Sequence, residues 1–244
     1  MAETQSVLRQ TDDESRRLAR KLLRGASFVS LAVCDQQSGF PAVSRALTAT
    51  DYDGVPVILI SSLAAHTKSL LADQRCSLLA GEPGKGDPLA HARITVFAQA
   101  HAVDRDSEAH GSIRRRFLNR HPKSALYIDF PDFAFFRLMP MYASLNGGFG
   151  RAFALESQDL LTPAGSSASD WLRLEEEIMS TNQDATQLAR TLGYAITKKC
   201  HLTGVDSSGI DFATGSVSFR YEFKSQQPDP QSVIDEISRI LDIV

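Results

Sequence analysis

The segment that most constrains the fold is residues 55–71, VPVILISSLAAHTKSLL, where an apolar run stops at two serines and leads into a helical pattern. The short apolar run predicts a buried strand. His66, Thr67 and Lys68 then fall in the first turn of the following helix. Because a helix N-terminus carries unpaired N–H groups and a partial positive charge, hydroxyls and a lysine there favour phosphate binding. The segment therefore predicts a strand-to-helix junction with an anion site.

A second strand, PAVSRALTAT at residues 41–50, brings an arginine toward the same site. If this strand lies beside VPVILI in an antiparallel meander, Arg45 grips two oxygens of one anion and Lys68 adds a point charge. Ser61 and Ser62 either contribute hydroxyls to the anion or simply cap the helix. Taken alone, Arg45 is also consistent with a solvated strand arginine.

Further along the chain, four more segments follow in a fixed order: CSLLAGEPGKGDPLAHARITVFAQA, RRRFLNRHPKSALYIDFPDFAFFRL, GGFGRA and a tail from about residue 168. With SRALT and ISSLAAHTKSLL, this order resembles the FMN-binding split barrel of the pyridoxamine 5′-phosphate oxidase superfamily. More narrowly, it is similar to the HugZ-type haem-utilisation branch. The resemblance covers roughly residues 10–156, and the tail resembles the small α/β domain of unknown function that follows this barrel.

The resemblance implies an α+β protein: an antiparallel six-stranded FMN-binding split β-barrel over residues 10–156, then a small α/β domain over 168–244. It also implies a homodimeric, flavin-dependent oxidoreductase. Arg93, in ARITVFAQA, resembles a strand position that reaches toward flavin, often from the other subunit, although a barrel-edge arginine fits equally well. The expected cofactor-binding residues are Arg45, Ser61, Ser62, His66, Thr67, Lys68 and Arg93. No catalytic residue is assigned.

Haem is the alternative ligand. Relatives in the haem-utilisation branch often carry an HMNxDH-like segment at the start of the second domain, whereas residues 178–185 read IMSTNQDA. Relatives that break down haem also tend to supply an axial histidine from a C-terminal loop, and nothing after His201 can do so. We therefore expect FMN to bind and haem to bind poorly. The rival interpretations are a non-flavin haem-binding or haem-degrading protein and a non-catalytic binding module.

Composition limits the partners. The net charge of −3 gives no electrostatic footprint for nucleic acid or an anionic membrane. The basic run within residues 114–123, RRRFLNRHPK, is more typical of a solvated helix face than of a nucleic-acid site. No apolar run approaches the length of a membrane span. Cys34, Cys76 and Cys200 lie outside any CxxC spacing, which favours reduced thiols and a cytoplasmic location, and no metal-site spacing is present.

Periodicity and turn residues predict the remaining elements. Thr11 and Glu14 form the capping box of a predicted helix over residues 11–24. Strands are predicted at 27–34, 41–50, 55–60, 92–103, 132–139, 195–203, 209–213 and 216–224. Helices are predicted at 105–120, 170–179, 183–192 and 230–241. Residues 157–169, rich in Ser, Pro and Gly, are expected to form a flexible linker, so the tail should be dispensable for FMN binding.

Overall fold

The computed structural model describes residues 8–81, 83–162, 168–181, 184–215 and 217–241. The strands are β1 (Leu8–Arg9), β2 (Phe28–Cys34), β3 (Pro41–Thr50), β4 (Pro56–Ser61), β5 (Arg75–Ala80), β6 (Arg93–Ala102), β7 (Phe133–Asn146), β8 (Ala152–Glu156), β9 (His201–Asp206), β10 (Gly209–Thr214) and β11 (Val217–Glu222). The helices are α1 (Asp13–Gly25), α2 (Ala65–Ala72), α3 (Glu108–Arg120), α4 (Ser157–Leu160), α5 (Ala168–Thr181), α6 (Thr186–Thr191) and α7 (Pro230–Leu241). Short 3₁₀ helices cover Pro88–Ala90 and Pro122–Leu126.

Six antiparallel strands close into a barrel in the order β7-β4-β3-β2-β5-β6, with β6 pairing again with β7. The long strand β7 makes the closure possible because it serves three neighbours. Its first half pairs with β4, its second half pairs with β8, and β6 runs along most of its other edge. The barrel therefore splits where β4 gives way to β8, and the predicted six-stranded split barrel is confirmed.

The strand β7 is longer than its predicted span of 132–139. It continues through Pro140 to Asn146 because a β-bulge accommodates the proline: Phe97 pairs with Tyr142 and Ala98 pairs with Pro140. The bulge leaves Met141 outside the ladder. A bulge is one of the places within a sheet where proline is tolerated.

Helix α1 packs on the barrel with one face and on the C-terminal unit with the other. Ala19 and Leu23 are buried in the barrel core, while α1 also contacts β11. Its predicted cap is displaced by one residue. Asp12 accepts a hydrogen bond from the Ser15 amide at 2.8 Å, and the Ser15 hydroxyl accepts one from the Asp12 amide at 2.9 Å. Thr11 instead donates to the carbonyl of Ala154, so it is not the cap.

The C-terminal unit has an apolar core of its own, between the antiparallel sheet β11-β10-β9 and helices α5, α6 and α7. The strand predicted at 195–203 begins only at His201. The reason is local. The Arg190 guanidinium donates hydrogen bonds of 3.1 and 3.2 Å to the Ile196 carbonyl, which holds the segment before His201 in a turn. The division into domains at 10–156 and 168–244 stays a prediction.

The first part of the predicted linker is folded. Residues 157–160 form α4, and Leu160 lies in the barrel core. The Thr162 amide donates to the Asp53 carbonyl at 2.8 Å. The flexible-linker prediction is therefore wrong for residues 157–162, because apolar burial and backbone hydrogen bonds hold them. Residues 163–167 lie outside the described part of the chain.

Buried ion pairs join the barrel to the C-terminal sheet. Arg24 of α1 pairs with Asp206 of β9, and both side chains are almost fully buried. Arg220 of β11 binds both carboxylate oxygens of Asp206 at 2.9 Å. Burial alone raises the pKa of Asp206, but the charges of Arg220 and Arg24 outweigh it and hold the pKa below its usual range. Asp206 is therefore ionised in the folded protein.

A second buried link joins α3 to α5. Arg116 pairs with Glu175, and its Nε donates to the Thr50 carbonyl at 2.8 Å. Truncation near Ser157 would strip the partners from Arg24 and Arg116 alike. We therefore replace the expectation of a dispensable tail with that of a tail required for folding.

We predict that Asp206→Ala lowers the free energy of unfolding by about 3–5 kcal/mol, because it leaves the buried Arg24 guanidinium without a carboxylate and removes one of the three carboxylates that pair with Arg220. Urea unfolding at neutral pH measures this change. The matched control is Asp129→Ala, which removes an exposed pair with Arg114 and should cost less than about 1 kcal/mol. Equal losses in the two variants would contradict a structural role for the buried pairs.

Candidate functional site

The predicted strand-to-helix junction exists, but the hydroxyls of Thr67 and Ser61 are already engaged in hydrogen bonds within the protein. The Thr67 hydroxyl donates to the Ser61 carbonyl at 2.6 Å, and the Ser61 hydroxyl donates to the Asp132 carboxylate at 2.7 Å. The Ser62 amide donates to the Asp132 carbonyl. Thr67 is buried, whereas Ser62 is exposed. Ser61 and Thr67 thus tie the end of β4 to α2, and Asp132 anchors both serines.

His66 is turned toward the barrel. Its Nδ1 lies 3.1 Å from the Ser44 hydroxyl, and its Nε2 is enclosed without a hydrogen-bond partner among the described residues. Burial lowers the pKa of His66, so the ring is neutral at pH 7. The imidazole links α2 to β3.

Arg45 and Lys68 are both exposed and form no ion pair with any residue in the described ranges. The Arg45 guanidinium stacks over the Phe28 ring at 4.5 Å. Because consecutive strand residues point to opposite faces, Arg45 lies on the outer barrel face while Ser44 meets His66 on the other. Arg45 and the contact between Ser44 and His66 therefore lie on opposite faces of β3.

Arg93 lies away from the junction. It opens β6, and its Nη1 is 3.3 Å from the carbonyls of both Leu89 and His91. The guanidinium thus supports the loop that precedes β6. Of the seven predicted site residues, Ser61 and Thr67 are hydrogen-bonded to each other. The side chains of Arg45 and Lys68 are exposed and accessible to a ligand.

Sequence reasoning missed a cavity of about 580 Å³ against the outer face of the barrel. Strands β2, β5, β6 and β7 line it, and its wall includes the stacked rings of Phe97 and Tyr142, whose centroids are 4.5 Å apart. Cys34 and Arg75 lie in its lining, as do Met141 and other mostly apolar side chains. The available signal was large apolar residues outside the core positions of two neighbouring strands, Phe97 in ARITVFAQA and Met141 and Tyr142 in MYASL.

The basic run of α3 is mostly directed into the protein. Arg115 and Arg116 pair with Glu175, and Arg120 is buried, which lowers its pKa to about 10. His121 Nε2 lies 2.8 Å from the Thr48 carbonyl, which can only accept, so Nε2 carries the proton. The expectation of a solvated helix face is therefore wrong for these residues.

Comparison with known proteins places the barrel in a family. The family model described as CREG, beta-barrel matches residues 10–162. The non-canonical heme oxygenase HOZ, chloroplastic, of Arabidopsis thaliana is 38% identical over 136 residues, 55% of this chain and 40% of the relative. Heme oxygenase HutZ of Vibrio cholerae is 30% identical over 151 residues, 61% of this chain and 80% of the relative. The chain thus spans about two fifths of the Arabidopsis relative and most of the Vibrio one.

Solved structures extend the likeness to the C-terminal unit. The Agrobacterium tumefaciens protein Atu2129, of unknown function, aligns with a TM-score of 0.80 at 25% identity, over 93% of this chain and 94% of that one. A heme binding protein from Mycobacterium smegmatis aligns with a TM-score of 0.55 at 22% identity, over 97% and 98% of the two chains, and supports the fold alone. The resemblance to the haem-utilisation branch of split barrels is confirmed.

We predict that acidification destabilises the protein through His121. Burial lowers its pKa from 6.5 to about 4, so between these values the unfolded chain binds a proton that the folded protein does not. The contribution of His121 to the free energy of unfolding is fully present above pH 6.5. It is lost, by on the order of 3 kcal/mol, as the pH falls toward 4. Urea unfolding of His121→Asn, which keeps an N–H donor, should show a smaller loss between pH 7 and pH 4.5. His101→Asn, at an exposed position, is the control, and an equal pH dependence in His121→Asn and wild type would refute the assignment.

Proposed function

The chain belongs to the CREG beta-barrel family, and from that premise we propose that it binds haem and takes part in oxidative haem breakdown. The observation that carries this proposal is the similarity to heme oxygenase HutZ over 80% of that relative's length. The Arabidopsis relative, at higher identity over a shorter share of its length, supports the same activity. Haem is therefore the first candidate ligand, in place of the FMN that the sequence motifs favoured.

The cavity on the outer barrel face suits haem as a substrate. Its volume of about 580 Å³ lies within the usual range of small-molecule pockets. Phe97 and Tyr142 form a flat apolar wall for a planar ring, and the Arg75 guanidinium lies in the lining for a propionate. Histidine is not required, because cysteine, methionine and tyrosine also ligate haem iron. The absence of histidine from the segment IMSTNQDA therefore does not exclude haem as the substrate.

In this proposal the protein supplies binding and orientation. Bound haem would bring the iron at which oxygen is activated, and an external reductant would supply the electrons. The apolar wall would cover one face of the ring, while Ser77 and Gln99 provide polar groups in the same cavity. These side chains can orient a polar reactant beside the ring.

Haemin titration tests the proposal. We expect the wild-type protein to give a saturable Soret shift with one haem per chain, followed by loss of the band when a reductant and oxygen are added. Tyr142→Arg should abolish saturable binding, because a charged side chain then crowds the apolar wall. The control Leu126→Arg changes an exposed residue outside the cavity lining and should bind as wild type. Absence of saturable binding in the wild type would refute the proposal.

FMN remains a second candidate because Arg45 and Lys68 are exposed and uncommitted. If both grip the phosphate, Arg45→Ala and Lys68→Ala each weaken FMN binding by about 1.5–3 kcal/mol, the range for charge-assisted hydrogen bonds. Isothermal titration with FMN and riboflavin measures the phosphate's contribution. Lys123→Ala, another exposed lysine, serves as the control. Equal affinity for FMN and riboflavin would count against this site.

We infer a homodimer as well, supported by large apolar side chains that the single chain leaves exposed on or beside the barrel, among them Phe40, Val43 and Leu47. In the described residues no helix has the length and apolar character needed to cross a bilayer. A cytoplasmic location and the absence of nucleic-acid partners remain predictions.

A further inference from the structure

Helix α1 carries five cations, and only some of them have a counter-ion within the protein. Three pair with carboxylates that lie far along the chain: Arg16 with Asp159, Arg20 with Glu222, and Arg24 with Asp206. Arg17 and Lys21 form no ion pair with any residue in the described ranges. Because residues four apart are neighbours on one face of a helix, these two uncommitted charges lie side by side.

Arg17 and Lys21 line a cavity of about 660 Å³ between the barrel and the C-terminal unit. Arg17 is half-buried and Lys21 is exposed. The wall contributed by the C-terminal unit includes Tyr194 and Tyr221, and Lys21 Nζ lies 5.9 Å from the centre of the Tyr194 ring. The cavity thus places two cations beside aromatic side chains.

The carboxylates in this lining are already bound. Glu14 accepts a hydrogen bond of 2.7 Å from Arg151, and Glu222 accepts one of 2.8 Å from Arg20 and pairs with a second, buried arginine as well. The two uncommitted charges of α1 therefore keep no counter-ion in the described part of the chain.

A second cavity, of about 440 Å³, adjoins the first along α1. Both linings include Leu18, Lys21 and Arg220. The two cavities also meet on the barrel side, at the ends of the segment between β5 and β6. Gly81 lines one and Ala92 the other, and a Cβ on Gly81 would lie 2.5 Å from the Ala92 carbonyl oxygen. Together they form one groove along the helix, the α1 groove.

The second cavity supplies the apolar end of the α1 groove. Phe28 lines it from the barrel, Leu22 from the helix, and Val217 and Phe219 from β11. Burial of a ligand's apolar body there is favourable, and a few polar groups then fix its orientation. A guanidinium and an ammonium bind acidic groups through charge-assisted hydrogen bonds. Two adjacent cations at one end of an apolar groove therefore match a ligand that carries two acidic groups.

We propose that the α1 groove binds a flat, conjugated dicarboxylate. Its apolar body lies at the end lined by Phe28 and Phe219, and its carboxylates meet Arg17 and Lys21. The inference goes beyond the proposed haem function, because the α1 groove shares no lining residue with the cavity on the outer barrel face and its ligand needs no iron. Binding here is non-covalent and transfers no electrons.

Titration of the full-length protein with biliverdin, a conjugated dicarboxylate without iron, tests the proposal by absorbance. We expect saturable binding of one molecule per chain. Biliverdin dimethyl ester has the same conjugated body without the two negative charges, so it should bind at least about tenfold more weakly. Equal affinity for the acid and the ester would overturn the proposal.

Substitutions locate the binding. Arg17→Gln and Lys21→Gln should each weaken biliverdin binding at least about threefold and leave the weak binding of the ester unchanged, because each removes one charge. Val217→Asp, at an exposed position of the apolar end, should weaken the binding of both probes. None of the three removes an ion pair, so their thermal unfolding should match that of the wild type. Lys123→Gln, an exposed lysine outside the groove, is the control.

The outcomes separate this proposal from the haem function. Absence of saturable biliverdin binding, or wild-type affinity in the Arg17→Gln, Lys21→Gln double variant, would overturn the assignment to the α1 groove. Loss of biliverdin binding in Tyr142→Arg would place the ligand on the outer barrel face and overturn it as well. Failure of the wild type to bind haemin would refute the haem function and leave the α1 groove unaffected.

Discussion

The buried pairing of Arg24 and Arg220 with Asp206 is the constraint on which the rest of the structure depends. Desolvation makes each of these charges costly alone, so each depends on its partners, and Asp211 and Glu222 add two further carboxylates around Arg220. Since Arg24 belongs to α1 and the other two to the C-terminal sheet, the pairing fixes the barrel against that sheet. Helix α1 thus buries Ala19 and Leu23 in the barrel core and Arg24 against the C-terminal sheet.

The same architecture leaves part of the outer barrel face open. The C-terminal unit covers two helices of the barrel, because β11 packs on α1 and β9 packs on α3. The cavity beside β2, β5, β6 and β7 stays uncovered. The β-bulge at Pro140 contributes directly, because it turns Met141 out of the ladder next to Tyr142. The outer face of the barrel therefore carries a flat aromatic wall formed by Phe97 and Tyr142.

The two candidate ligands use different chemistry on the same barrel. FMN would be held through its phosphate by exposed cations on β3 and α2, whereas haem would be held by apolar contact and one iron ligand. The relatives favour haem, and the uncommitted charges of Arg45 and Lys68 are what keeps flavin in consideration. The His66 ring packs between α2 and β3, with its Nδ1 beside the Ser44 hydroxyl and its Nε2 enclosed without a partner among the described residues.

Local pattern in the sequence determined much of this fold. Alternation along β2 and β3, the strand-to-helix junction at Ser61, and the amphipathic α7 are all predictable, because neighbouring residues decide them. The motif order also identified the split barrel and the haem-utilisation branch.

Only the tertiary structure decided which charges are internal and where a ligand fits. Arg116 and Arg120 look like solvated residues in sequence, and they are buried because α3 packs against β9, about eighty residues further along the chain. Residues 157–162 look like a linker, and they fold because Leu160 finds the barrel core. Cys34 and Arg75 meet only through strand register, a long-range property that residue type and spacing do not encode.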